Sequence, residues 1–274
     1  MAFLDDFYLL TSQPARDIYE AVKSLPIIDA HNHCDVKALS ENRKFQDIWE
    51  AEAGSDHYVW ECLRKCNVPE ELITSGSSSN RDKWLALANA FELMAGNPTY
   101  EWIHLDLKRR LKIDLEINAE NGAEIWDRSK EILGRDEMSQ QNLIKAMNVE
   151  CMCSTDDPLD SLEYHQALQS TPLSGVVRPT YRPDKAMNID KPDWNEYMDK
   201  LGKRWNMKLD KLDDLLEALR LAHDFFAENG CKASDHGVNV PYAYEVKKED
   251  AAAVFRKARK KKSLSEAEKI AFMS

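Results

Sequence analysis

Two histidines, His31 and His33, stand one residue apart just after an apolar run, Leu25-Pro26-Ile27-Ile28-Asp29-Ala30. On a strand, residues i and i+2 face the same way, so both imidazoles reach one point beyond the strand end. Imidazole nitrogens suit Zn, Fe, Mn or Ni. Asp29 falls on the same face and is placed to orient a ligand from behind. Taken alone, the pair also reads as two surface histidines.

Three further groups carry chemistry-bearing side chains. In Asp56-His57-Tyr58 a histidine beside a tyrosine suits carboxylate binding or proton transfer to a sugar oxygen. Equally, Asp56 caps a helix that contains Tyr58 and Trp60. Arg182 lies beyond a strand end between Tyr181 and Pro183, where a held guanidinium makes a two-pronged carboxylate clamp. The plainer role is a salt bridge to Asp184 or another acid. Asp235-His236 follows an apolar segment and offers acid–base chemistry, metal ligation or a hydrogen-bonded corner. His104, His165 and His223 sit in helical stretches and read as core or interface residues.

The elements that position these residues alternate. The spacing predicts a helix opened by Pro14, then a first, buried strand over Leu25–Ala30. A long stretch without strand signal follows. Ser40 is expected to cap a segment with Phe45, Ile48 and Trp49, and Asn80 one with Trp84, Leu87, Ala88 and Phe91. Asn97-Pro98 opens a helix through Trp102 and Leu105, and Thr74–Ser79 reads as a loop. Strands are expected over Asn148–Ser154, Gly175–Arg178 and Cys231–Ser234, making four in all. Helices are expected around Leu159–Gln169 and along an apolar stripe of Leu212, Leu215, Leu216, Leu219, Ala222 and Phe226, with more to the terminus. Ser265-x-x-Glu268 has the form of a capping box. This alternation predicts right-handed βαβ units and a parallel sheet, with polar residues gathered at the C-terminal strand ends.

The 274 residues carry 37 Lys and Arg against 48 Asp and Glu, a net charge of −11. An acidic surface repels phosphate backbones, so no nucleic-acid partner is expected. The basic run Arg256–Lys262 reads as a solvated helix end. Seven Trp, nine Tyr and eight Phe exclude a disordered chain, and nine Gly argue for a helix-rich one. The opening Met1-Ala2-Phe3-Leu4-Asp5-Asp6 lacks the positive region of a secretory signal, and no apolar stretch is long enough to span a bilayer. A cytoplasmic protein without a membrane partner is therefore expected. The six Cys are expected to be reduced thiols in packing roles, since Cys62-x3-Cys66 and Cys151-x-Cys153 match no zinc-finger spacing.

In order along the chain come Ile28-Asp29-Ala30-His31-Asn32-His33, Asp56-His57-Tyr58-Val59-Trp60, Gly96-Asn97-Pro98-Thr99-Tyr100-Glu101-Trp102, Ser154-Thr155-Asp156-Asp157-Pro158, Arg178-Pro179-Thr180-Tyr181-Arg182-Pro183-Asp184-Lys185 and Ala233-Ser234-Asp235-His236-Gly237. In these stretches the chain resembles the uronate isomerase (glucuronate isomerase) family of the amidohydrolase superfamily. The resemblance implies a metal-dependent-hydrolase-like (β/α)8 barrel, here about its first four βα units, with a helical insertion after strand 1. The corresponding division is residues 1–34 with the N-terminal helix and first strand, 35–145 as the insertion, and 146–274 with strands 2–4.

The implied reaction interconverts D-glucuronate and D-fructuronate, and D-galacturonate and D-tagaturonate. It moves a proton from C2 to C1 through an enediolate, whose oxygen charge a divalent metal stabilises. By resemblance His31 and His33 hold that metal, Zn or Mn. His57 and Tyr58 lie at the substrate, with Tyr58 assisting ring opening or proton transfer. Arg182 binds the uronate carboxylate, and Asp235 belongs to the active-site shell. A homo-oligomer is expected.

Family members continue through a second half of the barrel. A later-strand His, a last-strand Asp and a nearby Arg of the family have no counterpart in this sequence, which is expected to be an N-terminal part. Two other readings stay open: a catalytically inactive half-barrel that pairs with a complementary chain, and a superfamily hydrolase using the same metal.

Overall fold

The computed structural model describes residues 4, 5, 7–238 and 240–274. Met1, Ala2, Phe3 and Asp6 of the opening segment lie outside the described residues. The chain divides into two compact units, Met1–Pro26 with Glu41–Asn148, and Ile27–Ser40 with Val149–Ser274. The N-terminal segment thus groups with the helical stretch, whereas the sequence division placed it with the first strand.

The first unit is helical: α1 (Gln13–Val22), α3 (Ile48–Glu52), α4 (His57–Lys65), α5 (Asn80–Ala90), α6 (Pro98–Arg109), α7 (Gly122–Leu133) and α8 (Gln140–Ala146). Its starts are chemically marked. Ser12 caps α1 just before Pro14, and Asn97 caps α6 before Pro98, as expected. Two expected caps shift. Asp47, not Ser40, caps the helix with Ile48 and Trp49, and Ser79 replaces Asn80 at the start of α5. Asn80 instead donates to Asp47 Oδ2 at 3.0 Å, tying two helix starts together. The core is built on fully buried Trp84, Phe91, Ile103 and Leu107, and the Trp84 indole donates to Gly122 O at 2.8 Å.

The second unit holds β1 (Ile27–Asp29), α2 (Val36–Ser40), β2 (Val149–Cys153), α9 (Glu163–Leu168), β3 (Val177–Arg178), α10 (Asp184–Met187), α11 (Trp194–Arg204), α12 (Leu212–Glu228), α13 (Lys248–Arg259) and α14 (Glu266–Met273). The strands form one parallel sheet in the order β1-β2-β3, with Ile28 opposite Cys151 and Met152 opposite Val177. The expected fourth strand, Cys231–Ser234, is reduced to one isolated parallel bridge between Tyr181 and Ser234. Among the described residues, the backbone bonds that join it to the sheet are Tyr181 N–H to Ala233 O (3.2 Å) and Asp235 N–H to Tyr181 O (3.3 Å). β1 is not the buried strand expected. Ile27 and Ile28 are 47% and 61% exposed, and β1 is an edge strand of the sheet.

Helix α9 starts later than expected, at Glu163, after Leu162 turns the backbone into the left-handed region at φ 55°. Leu216 leaves the stripe of α12 and is 48% exposed, while Leu212, Leu215, Ala222 and Phe226 are buried. After α12, Gly230 takes φ +91°, and Cys231 N–H reaches back to Phe226 O at 3.0 Å. That left-handed cap turns the chain toward the sheet, where Asp235 and His236 follow. A core of Trp194, Met198, Leu201, Leu215 and Phe255 packs α11, α12 and α13, and Ser265 and Glu268 form the capping box of α14.

Two residues of the basic run turn inward: Arg259 donates to Leu209 O, Asn195 and Asp199, and Lys257 to Glu268. Cys34, Cys62, Cys66, Cys151, Cys153 and Cys231 are all free thiols. Among the described residues, no helix is long and apolar enough to cross a membrane.

Candidate active site

His31 and His33 lie in the loop that leaves β1 rather than on the strand itself. The loop is held in line with the sheet, because Asn32 N–H donates to Cys153 O at 2.8 Å. Thr155 Oγ1 ties the other side by donating to Asn32 O at 3.0 Å. With its neighbour pinned, each imidazole projects to the same side. The two Nε2 atoms come within 3.1 Å of each other.

The register of Asp29 predicts that it orients an imidazole, but its carboxylate hydrogen-bonds neither ring. Its carboxylate accepts His31 N–H at 3.3 Å and Asn32 Nδ2 at 2.7 Å, so it shapes the backbone of the turn. The orienting role falls to Asp235, whose Oδ2 stands 2.6 Å from His31 Nδ1. A neutral imidazole that donates from Nδ1 keeps its lone pair on Nε2. His31 therefore presents an acceptor nitrogen toward His33.

Asp235 also meets Arg182. Its Oδ1 accepts Arg182 Nε at 2.9 Å, and its Oδ2 lies 3.3 Å from Nη2. Asp184 Oδ2 stands 3.8 Å from the same Nε. Arg182 is thus salt-bridged along one edge, the plainer of the two sequence readings, and its Nη1 makes no hydrogen bond among the described residues. Asp184 in turn accepts His236 Nδ1 at 2.8 Å and Gly237 N–H at 2.6 Å. A continuous series of contacts runs His31, Asp235, Arg182, Asp184, His236 along the C-terminal edge of the sheet.

Behind this row lies a buried polar network. Ser154 Oγ donates to Asp156 Oδ2 at 2.7 Å and contacts His165 Nε2 at 2.8 Å. Asp156 Oδ2 also takes Thr180 N–H at 3.0 Å, and Asp156 O takes Arg182 N–H at 3.0 Å. The network therefore holds the loop that carries Arg182. Burial keeps the His165 pKa below its ordinary value, favouring the neutral ring. Sequence reasoning left Ser154 and Asp156 unassigned. Their i, i+2 spacing past a strand end repeats that of His31 and His33, which is the signal that could have marked them. A cleft of about 330 Å³ lined by Cys34, Asp156, Asp160 and His165 opens beside the network and does not include His31 or Arg182. Burial pushes the Cys34 thiol up to about 12, so it is no nucleophile at neutral pH.

His57 and Tyr58 open α4 in the helical unit. Asp56 caps that helix by accepting Tyr58 N–H at 2.7 Å and Val59 N–H at 3.3 Å. The two ring centroids lie 4.2 Å apart with their planes tilted by 33°, and Tyr58 is 59% exposed. Of the other histidines, His104 and His165 are buried as expected. His223 is not in the core: its side chain is 61% exposed on α12, with the ring edge-on to Tyr181 at 5.5 Å.

Bound to one zinc at about 2.0–2.1 Å, two imidazole nitrogens stand roughly 3.3 Å apart. The 3.1 Å between the Nε2 atoms fits two such ligands. Among the described residues no third His, Cys, Asp or Glu joins them. The arrangement offers two converging nitrogens, an aspartate that fixes one of them, and an arginine whose Nη1 makes no hydrogen bond among the described residues.

A family model described as glucuronate isomerase matches residues 1–274. The chain belongs to the glucuronate isomerase family. It is 47% identical over 262 residues to a uronate isomerase of Thermotoga neapolitana, covering 96% of this chain and 57% of that one. A uronate isomerase of Caldicellulosiruptor saccharolyticus is 38% identical, over 97% of this chain and 57% of its own length. Among solved structures, the uronate isomerase of Thermotoga maritima superposes with a TM-score of 0.95 at 46% identity, covering all of this chain and 60% of that one. The glucuronate isomerase of Caulobacter crescentus gives 0.89 at 25% identity, over 94% and 55% of the two chains. This member of the glucuronate isomerase family thus spans somewhat more than half the length of the relatives it matches.

Proposed function

We propose that this chain serves an aldose–ketose isomerase that interconverts D-glucuronate and D-fructuronate, and D-galacturonate and D-tagaturonate. The observation that carries the reading is Asp235, which joins a converging pair of imidazoles to an arginine within a chain of the glucuronate isomerase family. In this reading the sheet forms the first strands of a (β/α)8 barrel, with its chemistry at the C-terminal strand ends. The likeness to the uronate isomerase of Thermotoga maritima supports that architecture.

His31 and His33 would hold a divalent ion, Zn or Mn, through Nε2. Such an ion supplies Lewis-acid polarisation of a carbonyl oxygen when bound. Asp235 holds His31 in the tautomer that binds it and keeps Arg182 in position. Arg182 receives the uronate carboxylate on its Nη1 end, which fixes the reacting carbons at the other end of the sugar. On the helical unit, His57 contacts substrate and Tyr58 moves a proton in ring opening or between C2 and C1. The proton lost from C2 is matched by one delivered to C1, so no co-substrate is consumed. Acidic charge and free thiols support a cytoplasmic setting, and a homo-oligomer is part of the same reading.

A colour assay for ketouronates tests it. D-glucuronate and D-galacturonate are supplied with Zn or Mn, beside a panel of esters and amides. Ketouronate formation is the expected result. Hydrolysis of the panel with no ketouronate would replace the isomerase with a superfamily hydrolase.

A further inference from the structure

We infer that His236 is a further substrate-contacting residue, accepting a hydrogen bond from a uronate hydroxyl close to the carboxylate on Arg182. The inference rests on the uronate reading above.

Its basis is the geometry around Asp184. That carboxylate is largely buried, at 15% side-chain exposure, and both its oxygens are engaged. Oδ2 takes Gly237 N–H at 2.6 Å, and Oδ1 takes His236 Nδ1 at 2.8 Å. An acceptor on Nδ1 makes that nitrogen the donor, so a neutral His236 ring carries its lone pair on Nε2. Nε2 has no protein partner among the described residues, and the side chain is 41% exposed. A fixed ring with a free acceptor nitrogen is built to receive a donor.

Its neighbour says which ligand that is. Asp184 stands 3.8 Å from Arg182 Nε, so the His236 ring is held on the same carboxylate that flanks the arginine. A side chain at Gly237 would place its Cβ 3.7 Å from both Arg182 Cζ and Nη1. Glycine there leaves the guanidinium end uncovered beside His236. A sugar acid binding by its carboxylate at Nη1 brings its neighbouring hydroxyl groups into this region. Hydroxyl groups donate, and His236 Nε2 accepts. Arg182 has only donors, so the two residues divide the recognition of carboxylate and hydroxyl.

Two substitutions separate substrate contact from a merely structural role. Asparagine reproduces the Nδ1 donor that holds Asp184 and removes Nε2. Glutamine places an acceptor near the Nε2 position and gives up the bond to Asp184. Calorimetric titration of the 274-residue protein with D-glucuronate in the presence of Zn reads the affinity, and Tm checks the fold of each variant. Expected is about fivefold or more weaker binding for His236→Asn at unchanged Tm, with His236→Gln recovering part of the loss. Binding by His236→Asn within about twofold of the parent, or His236→Gln no better than His236→Asn, overturns the inference while leaving the uronate reading intact. Absence of saturable D-glucuronate binding by the parent overturns the uronate reading, and this inference with it.

Discussion

His31 Nδ1 lies 2.6 Å from Asp235 Oδ2, a contact between residues 204 apart in the chain. It fixes which nitrogen of His31 is free, and the same carboxylate holds Arg182 at 2.9 Å. One aspartate thus positions both the imidazole pair and the arginine of the row. Its strength lies in having each of its oxygens engaged by a donor.

Replacing Asp235 by Asn removes the charge and puts an N–H donor into a contact that requires an acceptor. The His31 ring then loses the tautomer that presents Nε2 toward His33. Zinc affinity, measured by competition with a chromophoric chelator, is expected to fall about 10–100-fold. An unchanged affinity would show that Asp235 does not orient the ligand.

Asp156→Ala empties the centre of the buried network. Thr180 N–H loses its acceptor, at about 1–3 kcal/mol for a group left unsatisfied, while Ser154 Oγ keeps Arg178 O at 3.1 Å. Urea unfolding is expected to show a lower midpoint at unchanged slope. Arg182 N–H keeps its bond to the backbone of residue 156, so the loop weakens without being released.

Glu52 predicts a pH effect of one sign. Burial, reinforced by Asp106 and Asp56, holds its carboxyl well above the ordinary 4.5. The folded state keeps its proton where the unfolded state has lost it. The stability this contributes is fully present below pH 4.5 and is lost as pH rises through the folded pKa. Glu52→Gln is therefore expected to raise Tm at neutral pH, with the gain vanishing in acid. A gain that persists at pH 4 would point to packing instead of charge.

His104 predicts the opposite sign. Its ring is buried, donating from Nδ1 to Tyr100 O at 2.8 Å and accepting Ile117 N–H on Nε2 at 2.7 Å. Burial holds its pKa below the ordinary 6.5. The unfolded chain takes up the proton first as pH falls. The stability contributed is complete above pH 6.5 and is lost as pH falls through the folded value. Tm measured from pH 8 to 5 is expected to decline, and His104→Gln to flatten that decline while lowering Tm overall.

Much of this was legible along the chain. Ser12 with Pro14, Asn97 with Pro98, and Ser265 with Glu268 mark helix starts by local hydrogen bonding, and all three form. The strand cores near Ile27, Val149 and Val177 were visible as apolar runs. Ser40 and Asn80 misled because several Ser, Asn and Asp side chains stood within reach of each helix start. Asp47 and Ser79 prevailed, each accepting the amide three residues on. The fourth strand failed because strand pairing needs a neighbour in register, and Cys231–Ser234 makes only one bridge.

By itself, the sequence determined where chemistry-bearing side chains fall: the paired His31 and His33, Arg182 past a strand end, Asp235 and His236 past another segment. Their types and short spacings are local properties, and local properties survive without a fold. Only the tertiary structure decided how they are wired. Asp29 turned to the backbone, Asp235 took His31, and Asp184 linked Arg182 to His236. Those choices depend on which side chains the parallel sheet brings to one edge, across separations that no local pattern encodes. A carboxylate goes to the donor that the fold brings within hydrogen-bonding distance.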